Sequence, residues 1–231
     1  MNLLFDLDGT LTDAGAGITR CIQHALTVLG APAPAAADLH WCVGPPLQPT
    51  FAELLRTDDP ERIDRAIALY RERFVVTGMF ENTVYPGVAD GLQRLRAAGH
   101  GLWVVTAKPH EFARKILAHF ELRDAFAEVY GSEFSGVHSD KRDLLRHVLS
   151  VERFAEPPWM IGDRRHDVEA AHANGLRAVG VTWGYGSGAE LETAGADVLV
   201  DSIQELLEWA GVTSVRVLEA ADGKPPGNRV E

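Results

Sequence analysis

From about residue 84 onward, short apolar segments alternate with segments whose apolar residues recur at helical spacing. Short, continuous apolar runs are typical of strands buried on both faces, and helices between such runs are typical of parallel connections. The predicted strands are 101–106, 128–130, 159–161, 178–181 and 197–200, and the predicted helices are 86–98, 109–119, 140–150, 165–174 and 203–210. We therefore predict an α/β fold with a doubly wound parallel sheet.

The first strand of this sheet is separated from the others by a long helical segment. Residues 2–8 contain an apolar run that ends at Phe5, and the pattern is then helical from Gly15 to about Asn82. Because the chain leaves and re-enters the sheet at these two points, we expect the crossings to lie close together and to form a hinge. We predict a core domain of residues 1–14 and 83–212, a small helical cap domain inserted at residues 15–82, and a peripheral C-terminal tail at residues 213–231.

The composition is that of a globular chain and argues against several classes of partner. Apolar residues make up 46% and charged residues 24%, which excludes wholesale disorder. The formal net charge of −11 and the lack of a Lys/Arg-rich tract argue against nucleic-acid polymers as partners. No uncharged apolar stretch approaches the roughly 18 residues of a membrane span, and residues 1–6 lack the basic start of a signal peptide. We expect a cytoplasmic protein whose two cysteines, Cys21 and Cys42, are buried and unpaired.

Four polar segments lie at the ends of predicted strands, where open parallel sheets bind their ligands. They are DLDGTLTD at 6–13, TAKP at 106–109, Lys141 at the start of a predicted helix, and GDRRHD at 162–167. Because side chains alternate along a strand with a period of two, Asp6 and Asp8 can face the same side.

Each of these segments also has an ordinary structural explanation. Residues 6–13 can form an acidic turn, and Thr106 or Asp163 can cap the helix that follows it. Asp167 suits the first turn of a helix, where a negative charge interacts favourably with the helix dipole. Lys141 at a helix N-terminus opposes that dipole and makes better sense if it faces an anion, although a solvated lysine is the simpler interpretation.

Other segments resemble known motifs but lack a required residue. Residues 175–180 have the glycine spacing of a phosphate-binding loop, but Val181 stands where the lysine is required. The glycines within residues 184–188 do not form a dinucleotide-binding motif and favour a flexible surface loop. We expect Trp41 and Tyr185 to serve packing rather than stacking on a bound base.

Taken together and in this order, the polar segments resemble those of the haloacid-dehalogenase-like hydrolase superfamily. The matching residues are DLDGTLTD at 6–13, VVTAKP at 104–109, Lys141 and GDRRHD at 162–167. A helical insert after the first motif is similar to that of members which carry their cap there, as in the phosphoglycolate-phosphatase-like branch. The segments YRERF at 70–74, ENTVYPGV at 81–88 and KPHEFARKILAHF at 108–120 are similar to bacterial members described as 5′-nucleotidases.

The resemblance implies that the chain is a Mg²⁺-dependent phosphatase. Its substrate would be a small phosphorylated metabolite, of the phosphoglycolate or nucleoside 5′-monophosphate type. Asp6 would attack phosphorus and become an aspartyl phosphate. Asp8 would protonate the leaving alkoxide and then deprotonate the attacking water.

The same resemblance implies which residues hold the metal and the phosphate. Mg²⁺ would be bound by Asp6, the backbone carbonyl of Asp8 and Asp163, with Asp167 supporting this shell from behind. Thr106 and Lys141 would hold phosphate oxygens, and Lys108 would be an additional phosphate contact. Cations are needed because a carboxylate and a phosphate charge about 4 Å apart repel by roughly 4 kcal/mol at an effective dielectric of 20.

Two other functions fit the same residues. A phosphosugar mutase would return the phosphate to its substrate, and isomer formation would then replace phosphate release. A non-catalytic phosphate-binding module would bind Mg²⁺ without turnover. The sequence identifies neither the leaving group nor the oligomeric state.

Overall fold

The computed structural model describes residues 1–212 and contains a six-stranded parallel sheet flanked by helices. The strands in this sheet are β1 (Asn2–Phe5), β4 (Gly101–Pro109), β5 (Glu128–Ser132), β6 (Trp159–Gly162), β7 (Arg177–Val181) and β8 (Val198–Val200). Their order is β5-β4-β1-β6-β7-β8, and every pairing is parallel. The predicted α/β fold with a doubly wound parallel sheet is confirmed.

Strand β1 occupies the centre of the sheet. Phe5 pairs with Val104 on one side and with Ile161 on the other, so β1 has hydrogen-bonded neighbours along both edges. Its apolar residues are consequently buried on both faces, which explains why the sequence shows a continuous apolar run there. The carboxyl end of β1 therefore opens between the ends of β4 and β6.

Nine α-helices pack around this sheet and in the insert within the described residues. They are α1 (Gly15–Val28), α2 (Leu47–Leu55), α3 (Pro60–Val76), α4 (Val88–Ala97), α5 (His110–His119), α6 (Lys141–Val151), α7 (Arg165–Ala173), α8 (Gly188–Ala194) and α9 (Ile203–Trp209). In this part of the chain no helix is both long and apolar enough to span a membrane. Cys21 and Cys42 are buried and free, as the sequence predicts.

A short antiparallel ribbon joins the point where the chain leaves the core to the point where it returns. It consists of β2 (Thr12–Asp13) and β3 (Thr83–Val84), with Asp13 opposite Thr83. The two crossings are therefore adjacent, as expected, although a ribbon there was not predicted. Strands of two residues are too short to produce a periodic pattern.

The insert packs against the core through aromatic side chains. Phe74 on α3 lies 5.2 Å from Phe112 on α5, measured between ring centroids. The buried apolar residues of both regions form one continuous cluster. The division into a cap at 15–82 and a core at 1–14 and 83–212 stays a prediction, and the predicted tail at 213–231 lies outside the described residues.

Candidate active site

The segment after β1 turns sharply and buries two carboxylates at the edge of the sheet. The backbone N–H groups of Leu11 and Thr12 both donate to the carbonyl of Leu7, at 2.9 and 3.0 Å. Gly9 has a φ of +93°, which a residue with a Cβ rarely adopts. Asp6 and Asp8 are 4% and 7% exposed and line one cavity, so the turn brings together the carboxylates that the sequence pairs.

Lys141 points from the first turn of α6 into this site. Its Nζ lies 2.9 Å from Asp6 Oδ1 and also contacts Asp167 Oδ1. Burial favours the neutral amine, but the charges of Asp167 and Asp6 outweigh burial and raise the pKa of Lys141 above its ordinary value. Lys141 is therefore a buried cation that faces anions, and the interpretation as a solvated surface lysine is wrong.

Asp163 and Asp167 follow β6 and are both buried. Asp163 accepts hydrogen bonds from the Thr10 hydroxyl at 3.2 Å and from the Tyr185 backbone N–H at 2.8 Å. Asp167 accepts one from the Arg164 backbone N–H at 3.0 Å. The cap of α7 is Arg164, so Asp163 is not the helix cap that its position suggested.

The carboxylates of Asp6, Asp163 and Asp167 form a cluster that can hold a metal ion. One oxygen from each lies within 4.8 Å of the others, and all three residues are buried. Burial, together with the charges of Asp167 and Asp6, raises the pKa of Asp163 to about 8. Lys141 can offset only one negative charge when all three carboxyl groups are ionised, and oxygen ligands of this kind suit a hard divalent cation.

Asp167 lies in this cluster beside the two carboxylates that the sequence assigns as direct metal ligands, Asp6 and Asp163. Its expected role, to support those ligands from behind, stays a prediction. The carboxylate of Asp8 is ion-paired with Lys108. The expected contribution of Asp8 is its backbone carbonyl, and that contribution stays a prediction.

Lys108 and Asp8 form a buried ion pair that the sequence did not reveal. Lys108 Nζ lies 2.7 Å from Asp8 Oδ2 and 4.7 Å from the ring centroid of Phe74 on α3. Asp8 Oδ1 is buried and has no hydrogen-bond partner among the residues that the structure describes. Burial raises the pKa of Asp8, and the charge of Asp6 adds to this effect against the opposing influence of Lys108.

Thr106 lies at the edge of the same cavity and does not cap a helix. Strand β4 continues past the predicted end at Thr106 to Pro109, with an irregular register between these two residues. Helix α5 begins at His110, three residues later than a Thr106 cap would require. The Thr106 hydroxyl accepts a hydrogen bond from the Lys108 backbone N–H at 3.3 Å.

Two of the three glycines at 184–188, Gly184 and Gly186, pack on Asp163, so the interpretation of this segment as a flexible surface loop is wrong. A Cβ at Gly184 would overlap the Asp163 side chain, and a Cβ at Gly186 would overlap the Asp163 carbonyl. This close approach lets the Tyr185 N–H reach the Asp163 carboxylate, while the Tyr185 hydroxyl contacts Asp13. Alternate glycines directly after a buried strand were the sequence signal for close backbone approach.

Residues 3–181 match the protein family described as haloacid dehalogenase-like hydrolases. This chain belongs to that family. The resemblance predicted from the sequence is therefore confirmed.

Proteins with several named activities are similar to the chain over most of its length. A 5′-nucleotidase from Pseudomonas aeruginosa is 47% identical over 191 residues, which cover 82% of this chain and 86% of that protein. The tyrosine-protein kinase PtkA from Mycobacterium tuberculosis is 37% identical over 91% of this chain and 72% of that protein. A phosphoglycolate phosphatase from Aliivibrio fischeri is 29% identical over 89% of this chain and 94% of its own.

A solved structure agrees with the fold and with this family. The crystal structure of a predicted phosphatase from Clostridium acetobutylicum has a TM-score of 0.86 and 41% sequence identity, and the match covers 90% of this chain and 96% of that one. With the family match and the phosphatase relatives, this likeness identifies the chain as a phosphatase of the haloacid dehalogenase-like family.

Proposed function

We propose that this phosphatase hydrolyses a small phosphomonoester through an aspartyl phosphate on Asp6 and depends on Mg²⁺. The observation that carries the proposal is the position of Asp6. It belongs to the buried carboxylate cluster, pairs with Lys141 at 2.9 Å and lines one cavity with Asp8. A nucleophile, a proton donor and a cation are therefore available around one substrate phosphate.

In the first half-reaction, a carboxylate oxygen of Asp6 forms a bond to phosphorus while the ester P–O bond breaks. The alkoxide that leaves takes a proton from the Asp8 carboxylic acid. The raised pKa of Asp8 supports this role, because burial favours the protonated form that can donate. Lys108 Nζ lies 2.7 Å from Asp8 Oδ2, so it would hold that oxygen in place while the other oxygen carries the proton.

In the second half-reaction, Asp8 is a carboxylate and accepts a proton from a water molecule. The oxygen of that water attacks phosphorus, the bond to Asp6 breaks, and inorganic phosphate leaves. Asp6 returns as a carboxylate and Asp8 as a carboxylic acid, so both residues are restored for the next cycle.

Lys141 and Thr106 would bind the phosphate oxygens during both steps. Asp6 and Asp163, with Asp167 beside them, would hold Mg²⁺, whose positive charge would reduce the repulsion between the carboxylates and the phosphate. Lys141 adds a second positive charge from a rigid helix terminus, where its pairing with Asp6 and Asp167 fixes its position.

The relatives support a small monoester as substrate. The names 5′-nucleotidase and phosphoglycolate phosphatase belong to proteins that are 47% and 29% identical to this chain. Both names denote enzymes that release phosphate from a small molecule. The buried, unpaired state of both cysteines suits a reducing compartment, and we propose a cytoplasmic location.

A phosphate-release assay with Mg²⁺ tests this function. The panel comprises para-nitrophenyl phosphate, phosphoglycolate, nucleoside 5′-monophosphates and sugar monophosphates, with isomer formation measured alongside phosphate. Release of phosphate without isomers is the expected result. Isomer formation would indicate a mutase, transfer of phosphate from ATP to tyrosine would indicate a kinase, and Mg²⁺ binding without turnover would indicate a binding module.

Replacing residues 15–82 with a short Gly/Ser linker is expected to remove substrate discrimination but not the chemistry. The adjacent strands β2 and β3 let a short linker join the ends, and every proposed catalytic residue lies outside the deleted segment. The shortened protein should hydrolyse para-nitrophenyl phosphate and lose its ranking of natural esters, because an inserted cap excludes water and contacts the leaving group.

Circular dichroism and size-exclusion chromatography provide the controls for this deletion. The deletion exposes Phe112, which packs on Phe74, so Phe112→Ser in the shortened chain serves as a solubilising companion variant. Unfolding of both shortened proteins would show that residues 15–82 are an integral part of one core. A folded protein with an unchanged substrate ranking would remove the cap as the source of specificity.

A further inference from the structure

A cationic side chain of the insert lines the cavity that contains Asp6 and Asp8. This residue is Arg71, which lies on α3 and is partly buried. Its Nε atom is buried and has no hydrogen-bond partner within the described part of the chain. No step of the proposed mechanism uses it.

Arg71 differs from the other cation that lines this cavity in the described chain. Lys108 is paired with Asp8 at 2.7 Å, whereas Arg71 has no carboxylate partner among residues 1–212. Glu133 also lines the cavity, but its carboxylate accepts a hydrogen bond from the Ser135 hydroxyl at 3.1 Å. Since a buried donor without an acceptor is costly, the Nε–H of Arg71 needs an acceptor that residues 1–212 do not supply.

The guanidinium of Arg71 lies over an aromatic side chain at the cavity. Arg71 Cζ lies 5.3 Å from the ring centroid of Phe134, and Phe134 packs edge-on against Phe112 at 4.9 Å. Phe112 in turn contacts Phe74 on the same helix as Arg71. The guanidinium therefore lies where the insert meets residues outside it, beside the cavity that contains Asp6 and Asp8.

We propose that Arg71 binds an anionic group on the leaving group of the substrate, either a carboxylate or a second phosphate. The inference rests on the proposed phosphatase function, which places the transferred phosphate at Asp6 and Lys141 on the core. Arg71 belongs to the insert and would therefore contact the leaving group of the ester. The planar guanidinium offers paired donors that match the oxygens of a carboxylate or a phosphate.

The test compares esters that differ only in the anionic group. One pair is 2-phosphoglycolate and 2-hydroxyethyl phosphate, which exchanges a carboxylate for an alcohol. The other is 1,3-propanediol bisphosphate and 3-hydroxypropyl phosphate, which removes one phosphate. The wild type should prefer the more anionic member of at least one pair, and the preferred pair distinguishes a carboxylate from a second phosphate.

Arg71→Met should lower kcat/KM for the preferred anionic ester by about 10- to 100-fold, mainly through KM. Its kcat/KM for the matched ester with an uncharged leaving group, and for para-nitrophenyl phosphate, should stay within about twofold of wild type. Arg71→Lys keeps the charge without the planar fork and should recover part of the loss. The control is Arg65→Met, which removes an exposed arginine of the same helix. It should leave kcat/KM unchanged for both members of the pair.

Two results would overturn the assignment while leaving the phosphatase function intact. One is a wild type that hydrolyses para-nitrophenyl phosphate but shows no preference for either anionic ester. The other is an Arg71→Met variant that loses the same factor on both members of a pair, which indicates a structural role. Absence of turnover on every ester, para-nitrophenyl phosphate included, would instead contradict the proposed function and the assignment with it.

Discussion

Asp6→Asn is expected to lower the turnover of this phosphatase by more than about a thousandfold while leaving its fold intact. A carboxamide has nearly the shape of a carboxylate but is not a nucleophile toward phosphorus. Asp6 is 4% exposed and lies 2.9 Å from Lys141 Nζ, so the isosteric change disturbs packing little. Phosphate release with para-nitrophenyl phosphate measures the effect, because its leaving group needs no protonation.

The matched control is Asp124→Asn, which removes one negative charge at an exposed position outside the insert. That variant should retain wild-type turnover, and circular dichroism should show the same fold for both. Phosphate release by Asp6→Asn within tenfold of wild type would refute its role as the nucleophile. If Asp6→Asn loses the native circular dichroism spectrum, Asp6→Glu replaces it in the test. That variant keeps the negative charge but displaces it, and it should also be inactive.

Asp8→Asn separates the two half-reactions and identifies the phosphorylated residue. With para-nitrophenyl phosphate the first step needs no proton from Asp8, whereas the second step needs Asp8 as a base. A covalent phosphoryl group should therefore accumulate on Asp8→Asn and be visible by intact-protein mass spectrometry. The double variant with Asp6→Asn should carry none, and a phosphoryl group on that double variant would place the nucleophile elsewhere.

The sheet could be predicted from the sequence because its strands are short, apolar and buried on both faces. β1 is central, so Leu3, Leu4 and Phe5 are all at most 1% exposed and leave a continuous apolar signal. The ribbon of β2 and β3 leaves no such signal, because its pairing depends on residues that are about 70 positions apart. Local periodicity reports burial, whereas pairing between distant two-residue segments depends on the whole fold.

The chemistry of the site was only partly visible in the sequence for a related reason. Side chains at strand ends could be identified one by one, but their partners come from distant segments. Thr10 contacts Asp163 across 153 positions, and the Lys108 pair with Asp8 crosses from β4 to the turn after β1. Arg71 lies in the segment YRERF at 70–74, but nothing in that segment separates it from the solvated arginines of the same amphipathic helix.

The role of the glycines in the loop after β7 could also be predicted only in part from the sequence. The alternate glycines at 184–188 indicate that the backbone lies close to another group, but the sequence does not identify that group. The structure identifies the neighbour as Asp163, against which Gly184 and Gly186 pack. A glycine-rich segment can therefore support a buried carboxylate rather than form a mobile surface loop.

Removal of divalent cations is expected to abolish turnover, and Mg²⁺ is expected to restore it. Asp6, Asp163 and Asp167 bring three buried carboxylate oxygens within 4.8 Å of one another, and Lys141 offsets only one of their charges. Ca²⁺ should replace Mg²⁺ poorly, because it takes more ligands at longer distances and loosens the in-line geometry. Full turnover after exhaustive chelation would exclude the metal assignment.

Thermal unfolding tests the same site without reference to activity. Mg²⁺ at about 100 times its Kd adds about 2.7 kcal/mol of stability, which corresponds to roughly 5–10 °C in Tm for a chain of this size. Asp163→Asn should abolish that shift because it removes a ligand. It should also raise the metal-free Tm, since burial and the charges of Asp167 and Asp6 disfavour the ionised Asp163 and raise its pKa to about 8. Asp124→Asn should keep the full Mg²⁺ shift, and an Asp163→Asn protein that also kept it would place the cation at other residues.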